Sequence, residues 1–304
     1  ISYSDTEDGI YDVSSILNVT ITPEDDNALA GKTVKYNISG GNIPDSDSTD
    51  STSSQAENTN KASIDSNGKI TGLTASDKAY VITAVVSFDD YKDATATMNL
   101  TVNKAGQDTV SFSNGDNVSV TFNNSEAAHE YTNEVTGVKE NAIVTYAIDT
   151  SSTTDIATVD NTTGKVSYSK AGTVKVNATI SKTDNYKEKV ISYTLSIGKE
   201  AVKSFGFQDS NVEVTYGDNS NKYDQRVQHA GGNIGSIAYG ITDDSGNSTD
   251  VADINSQTGE VTIKKAGTVK ITAQAAETDT YGSASASYTL VIKKADRTVS
   301  FDNS

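Results

Sequence analysis

The sequence predicts an all-β chain: tandem β-sandwiches in an elongated array. Three observations predict it. Blocks of sequence recur at a fixed spacing, apolar residues alternate with a period of two within each block, and clusters of Gly, Asn, Asp and Ser bound every alternating run.

The recurrence is direct. Thr163-Gly164-Lys165-Val166 returns as Thr258-Gly259-Glu260-Val261, and Lys170-Ala171-Gly172-Thr173-Val174-Lys175 returns as Lys265-Ala266-Gly267-Thr268-Val269-Lys270, each 95 residues on. Asp184-Asn185-Tyr186 returns as Asp279-Thr280-Tyr281, and a more diverged upstream copy carries Asn67-Gly68-Lys69-Ile70 and Asp89-Asp90-Tyr91. Tyr91, Tyr186 and Tyr281 are therefore 95 residues apart. Lys-rich junctions at Asn103-Lys104-Ala105, Gly198-Lys199-Glu200-Ala201 and Lys293-Lys294-Ala295 end one unit and open the next. The expected units are 1–103, 104–198 and 199–293. Residues 294–304, with Thr298-Val299-Ser300-Phe301 repeating Thr109-Val110-Ser111-Phe112, supply the first strand of a fourth unit. Ile1 is no initiator Met, so the chain reads as a piece of a longer array.

Within a unit the period is that of a half-buried strand. Val174, Val176, Ala178 and Ile180 alternate with Thr173, Lys175, Asn177 and Thr179, and the same face recurs as Val269, Ile271, Ala273 and Ala275. The second unit shows about seven such runs: 109–112, 118–122, 142–148, 156–159, 165–169, 173–180 and 190–197. That number of short strands in so few residues predicts an immunoglobulin-like sandwich. Pro23 and Pro44 are the only prolines and no Gly/Ser hinge marks the junctions, so the units are expected to be joined semi-rigidly. The one low-complexity stretch, Pro44–Asn60, is an enlarged acidic loop of the first unit.

The run from Asp155 to Val166, Asp-Ile-Ala-Thr-Val-Asp-Asn-Thr-Thr-Gly-Lys-Val, followed by Lys170–Val176, resembles bacterial immunoglobulin-like domains of group 2, which also occur in the adhesins called intimins and invasins. Val251–Val261 and Lys265–Ile271 carry the same signature in the third unit. The first unit departs from it, with Ser76-Asp77-Lys78-Ala79 in place of the Ala-Gly-Thr element. The resemblance implies a spacer role on a bacterial surface and brings no catalytic residues with it.

Composition narrows the function. With 24 basic against 41 acidic residues, the net charge is −17, which disfavours nucleic acid and anionic membrane surfaces as partners. No apolar run is long enough to span a bilayer as a helix, so no membrane insertion is expected in this segment. Zero cysteines exclude disulfides and thiol chemistry.

No catalytic, cofactor or metal site is expected. Asp45, Asp47 and Asp50 suggest a calcium loop, but Asp50 stands where an EF-hand turn requires Gly, and Ala56 stands at the position of the bidentate Glu. Asp243, Ser245 and Asn247 fare no better, with Ser248 in the glycine position. Calcium at Asp45, Asp47 and Asp50 is kept as the alternative to a solvated acidic loop. His129 and His229 occupy non-equivalent places and are read as structural. The carboxylate pairs Asp89-Asp90 and Asp243-Asp244 are read as turn residues. The recurring Tyr36, Tyr146 and Tyr239, and Tyr91, Tyr186 and Tyr281, are read as repeating core. Asn-x-Ser/Thr matches such as Asn99 and Asn177 fall inside strands and are discounted as glycan acceptors.

The expected function is a non-catalytic stalk of an extracellular, adhesin-type bacterial cell-surface protein, monomeric within a longer chain and presenting a distal functional domain. The alternatives are a module binding a host glycan or surface protein, with loop 44–60 the place to look, and a surface-layer subunit. Units about 35–40 Å long, joined end to end, give a rod of roughly 110–120 Å. A compact globule of this length has a radius of gyration near 19 Å, so small-angle scattering should return a clearly larger value; one below roughly 24 Å contradicts the array.

Overall fold

The computed structural model describes residues 1–6, 9–17, 31–41, 62–89, 91–152 and 155–301. The chain falls into two compact units: Ile1–Ser113 with Asn133–Tyr146 and Asn177–Ser192, and Asn114–Thr132 with Ala147–Val176 and Tyr193–Ser304. The middle sequence repeat contributes to both. The loop 44–60, with Asp45, Asp47 and Asp50, lies outside the described residues.

In the first repeat the strands are β1 (Tyr11–Asp12), β2 (Thr33–Gly40), β3 (Ser63–Ile64), β4 (Lys69–Thr71), β5 (Tyr80–Phe88) and β6 (Tyr91–Leu100). They form two sheets, β2-β5-β6 and β1-β4-β3. Along β5 every second residue points inward: Tyr80, Ile82, Ala84 and Val86 are buried. Tyr80 and Ile82 join Val13, Ala62, Ile70, Leu73, Leu100 and Val102 in one apolar core.

The second repeat carries β7 (Ser111–Phe112), β8 (Asn117–Thr121), β9 (Glu130–Thr132), β10 (Val135–Thr136), β11 (Val144–Ile148), β12 (Ala157–Val159), β13 (Lys165–Tyr168), β14 (Gly172–Ile180) and β15 (Lys189–Gly198). The third carries β16 (Lys203–Gly206), β17 (Asn211–Thr215), β18 (Lys222–Tyr223), β19 (Gln228–Ala230), β20 (Ile237–Thr242), β21 (Ala252–Ile254), β22 (Val261–Ile263), β23 (Gly267–Ala275) and β24 (Ala284–Lys293). Their sheets match element for element. The orders β11-β14-β15-β8 and β12-β13-β9 with the pair β10-β7 are repeated as β20-β23-β24-β17 and β21-β22-β18 with the pair β19-β16. In both repeats the entering chain first pairs antiparallel as β7 or β16. It then changes sheet and runs parallel to the last strand, β8 along β15 and β17 along β24.

The seven runs expected in the second repeat are all strands. The alternating face of β14 is the core: Val174, Val176, Ala178 and Ile180 are fully buried. Two strands, β9 and β10, lie beyond that expectation. They are three and two residues long, and Asn133-Glu134 separates them, so neither repeats often enough to show a period. The break has a cause: β9 pairs with β13 and β10 pairs with β7. The buried Asn133 marks the change of partner, accepting a hydrogen bond from the Ser113 hydroxyl at 3.3 Å while the Ser113 N–H donates to the Glu134 carbonyl at 2.8 Å.

A repeated turn fixes the hairpin register. Asp65, Asp160 and Asn255 each accept two backbone N–H bonds through the side chain, and each turn closes on a glycine with positive φ: Gly68 at 81°, Gly164 at 71° and Gly259 at 78°. A Cβ on Gly259 would also lie 2.9 Å from the Tyr239 ring, so both conformation and space require glycine there.

Leu195 and Leu290, equivalent residues of β15 and β24, are fully buried. Leu195→Ala and Leu290→Ala should each cost about 2–5 kcal/mol of unfolding free energy in urea titration; a loss below about 1 kcal/mol at either site would show that the residue is not the packed core position its burial indicates.

Candidate functional site

Hydrogen-bonded polar side chains gather where one repeat meets the next. At the first junction, Ala105 forms a single parallel bridge with Tyr186. The Ala105 N–H donates to the Asn185 carbonyl at 2.8 Å, and the Lys187 N–H returns to the Ala105 carbonyl at 2.9 Å. The entering chain is thereby tied to the Asp-x-Tyr turn between β14 and β15. That turn reaches back to the preceding repeat. The Asn185 Oδ1 accepts the N–H of Ala75 at 2.8 Å, and the Tyr186 ring meets Tyr3 edge-on at 5.7 Å.

Asn185 is held for this task by Glu140. Its Nδ2 donates to Glu140 Oε1 at 2.6 Å, and the Thr183 hydroxyl donates to Glu140 Oε2 at 2.5 Å. Glu140 and Asn141 have φ of 49° and 52°, and this left-handed pair turns the chain into β11. Because Asn185 is 6% exposed, its amide is oriented inside the fold. Gln107, also buried, donates to the carbonyls of Ser181 and Lys187, and Lys104 Nζ donates to the Thr183 carbonyl.

The second junction repeats the backbone geometry with different side chains. Glu200 bridges Tyr281: the Glu200 N–H donates to the Thr280 carbonyl at 2.8 Å, and the Gly282 N–H donates to the Glu200 carbonyl at 2.9 Å. Ala171 of the preceding repeat donates its N–H to the Asp279 carbonyl at 2.9 Å, where Ala75 used a side-chain oxygen. Lys170 stands 3.8 Å from the Asp279 carboxylate. The Glu200 side chain, 12% exposed, accepts the Asn124 N–H at 2.7 Å and the Asn124 amide at 3.0 Å on Oε2, and pairs with Lys203 at 3.0 Å through Oε1. The Asn124 N–H foremost, with Lys203 and the Asn124 amide, holds the Glu200 carboxyl down at about 2 from an ordinary 4.5. Glu200 in turn raises the Lys203 ammonium.

The sequence-read candidates fall elsewhere. Asp243 spends its carboxylate on its own turn, accepting the N–H groups of Ser245 at 2.9 Å and Asn247 at 2.8 Å. Those bonds, Asn247's first, lower its pKa. Among the described residues no group of three or more His, Cys, Asp or Glu is placed to hold a metal ion. His229 is exposed on β19, and Asp89 and Asp244 are exposed in turns. His129 stacks on Phe122 at 4.0 Å and lies 5.8 Å from Tyr168, lining an open cleft of about 500 Å³ with Ile156. Of the recurring tyrosines, Tyr146 and Tyr239 are core residues at 9% exposure, but Tyr91 is 43% exposed. Tyr281 is buried at 6% exposure, as read, and both it and Tyr186 also serve the junctions, a role the reading as repeating core does not include. The recurrence of the whole Asp-x-Tyr turn was the available signal.

No protein-family model matches the chain, and no curated protein matches it. Among solved structures, Drosophila N-cadherin EC1-3 overlays with a TM-score of 0.34 at 12% identity, covering 97% of each chain. Mouse cadherin-23 EC22-24 overlays at 0.30 and 11% identity, covering 91% of this chain and 90% of that one. Human CDH23 EC21-23 gives 0.30 and 16%, covering 85% and 88%.

Because its folded pKa lies below the usual value, Glu200 contributes stability that is complete above about pH 4.5 and is lost as the pH falls towards about 2. The protection factor of the Asn124 amide should fall over that window, and Glu200→Gln should remove the dependence; carboxyl titration at Glu200 near 4.5 would contradict the geometry. At the other junction, Asn185→Ala removes the side-chain oxygen that accepts the Ala75 N–H and should cost about 1–3 kcal/mol in urea unfolding.

Proposed function

We propose that the chain is a non-catalytic spacer of a bacterial cell-surface protein of adhesin type, made of repeats bounded at 103, 198 and 293, with 294–304 opening a further unit. One observation carries the reading: both junctions are built in the same way, the Asp-x-Tyr turn of one repeat bonded to Ala75 or Ala171 of the repeat before it. A joint specified by directional hydrogen bonds, to the Asn185 side chain in one case and the Asp279 carbonyl in the other, transmits position from one repeat to the next, which is what a spacer must do. The absence of cysteine accords with an extracellular bacterial setting. No helix among the described residues is long and apolar enough to cross a membrane.

Any binding of a host glycan or protein then belongs to a distal domain of the same surface protein, and this segment sets its distance from the envelope. Its mechanism is mechanical, each repeat unfolding only when its own core is breached.

Pulling the full chain by its two ends tests the reading. Three unfolding events are expected, each releasing about 30 nm of contour, the extended length of some 95 residues less the folded span. A single event, or events of unequal length that ignore the boundaries at 103 and 198, would overturn it. Micromolar binding of the whole chain in a screen of glycans and matrix proteins would replace it with a recognition role.

A further inference from the structure

In the second and third repeats, one pairing joins a strand near the start of the repeat to the strand that ends it. Among the described strands, β8 lies at the edge of its sheet with β15 as its neighbour, and β17 is held in the same way by β24. Both pairs are parallel and five residues long: Asn117–Thr121 along Thr194–Gly198, and Asn211–Thr215 along Thr289–Lys293. The same two hydrogen bonds close both. At one end the Thr194 N–H donates to the Asp116 carbonyl at 2.8 Å, as Thr289 does to Ser210 at 2.9 Å. At the other the Phe122 N–H donates to the Gly198 carbonyl at 2.8 Å, as Tyr216 does to Lys293 at 2.9 Å.

The parallel direction decides how such a ladder carries load. Tension along the chain draws β8 back from its Asn117 end and draws β15 forward from its Gly198 end. Those are opposite ends of the ladder, so the strands must slide past each other and every bond is strained at once. An antiparallel hairpin loaded at its two open ends parts one bond at a time. The contacts upstream are shorter, a single bridge at Ala105 and two residue pairs at β7 in the second repeat. Once they part, the parallel ladder stands between the tension and the core.

We propose that the β8–β15 and β17–β24 ladders are shear clamps that set the tension these two repeats withstand. The inference rests on the spacer reading and gives that spacer its mechanical element.

Proline substitution separates the ladder from the rest of the fold. Backbone amides alternate in direction along a strand, so with the Phe122 N–H facing β15 that of Val120 faces it too, and that of Ser119 faces away. Val120→Pro therefore removes a ladder bond, and Ser119→Pro, with its N–H toward the open edge, removes none. Val166→Ala is the control for core packing, because Val166 is fully buried on β13, in the other sheet. The full chain is held at constant force by its ends, and the lifetime before each unfolding event is read. Val120→Pro should shorten one lifetime about 2- to 10-fold. Ser119→Pro and Val166→Ala should leave every lifetime unchanged, although Val166→Ala lowers the urea midpoint. Val214→Pro, whose N–H faces β24 as that of Tyr216 does, should shorten the lifetime of the third repeat alone, and it serves as the test if Val120→Pro fails to fold. Equal shortening by Val120→Pro and Ser119→Pro, or by Val166→Ala, overturns the clamp. So do lifetimes left unchanged by both Val120→Pro and Val214→Pro. Those results, with events still of about 30 nm, leave the spacer reading standing; events that ignore the repeat boundaries strike that reading itself.

Discussion

A parallel bridge of two hydrogen bonds, from the second residue of a repeat to the tyrosine of that repeat's own Asp-x-Tyr turn, is the constraint on which the junctions depend. Ala105 makes it with Tyr186 and Glu200 makes it with Tyr281. It fixes where the chain enters the sandwich, and it holds the turn where the previous repeat can reach it. The entering chain then runs through β7 or β16 and on to the parallel pairing of β8 with β15 or β17 with β24. Backbone groups carry the bridge, so side chains around it are free to differ. One junction uses Asn185 and Glu140, the other Glu200 and Asn124.

The same tolerance appears on the surface. Lys165 pairs with Glu130 at 3.0 Å, and at the equivalent place in the third repeat Lys222 pairs with Glu260 at 2.8 Å, with the charges exchanged between strands. Lys170 with Asp155 recurs unchanged as Lys265 with Asp250. These pairs are exposed and screened by water, so they tune the sandwich and do not define it. The core defines it, and there the repeats agree closely, Leu195 with Leu290 and Tyr193 with Tyr288.

Much of this was legible in the sequence because the core strands are long. Nine residues of alternation in β14 and β23 reveal both the strand and its buried face. The strands β9, β10, β18 and β19 were not legible, being two or three residues long and defined by the partner they meet. The junction chemistry was half legible. The recurring turn was plain, but nothing local marks Glu200 or Asn185 as different from other acidic and amide residues of so polar a chain. Their role arises from neighbours 76 residues away, as in Asn124 to Glu200, and 110 residues away, as in Ala75 to Asn185. The candidates that residue type suggested, Asp243 and His129, turned out to serve a turn and an aromatic stack.

Hydrogen exchange on the full chain at the amides of Ala75, Ala171, Lys187 and Gly282 tests the central claim most directly, because these four N–H groups make the bonds that tie turn, entering chain and preceding repeat together. The account predicts protection comparable with that of the strand amides of β14 and β23. Exchange at the rate of an unstructured peptide at these amides, with the strands still protected, would show sandwiches joined by loose tethers and would contradict it.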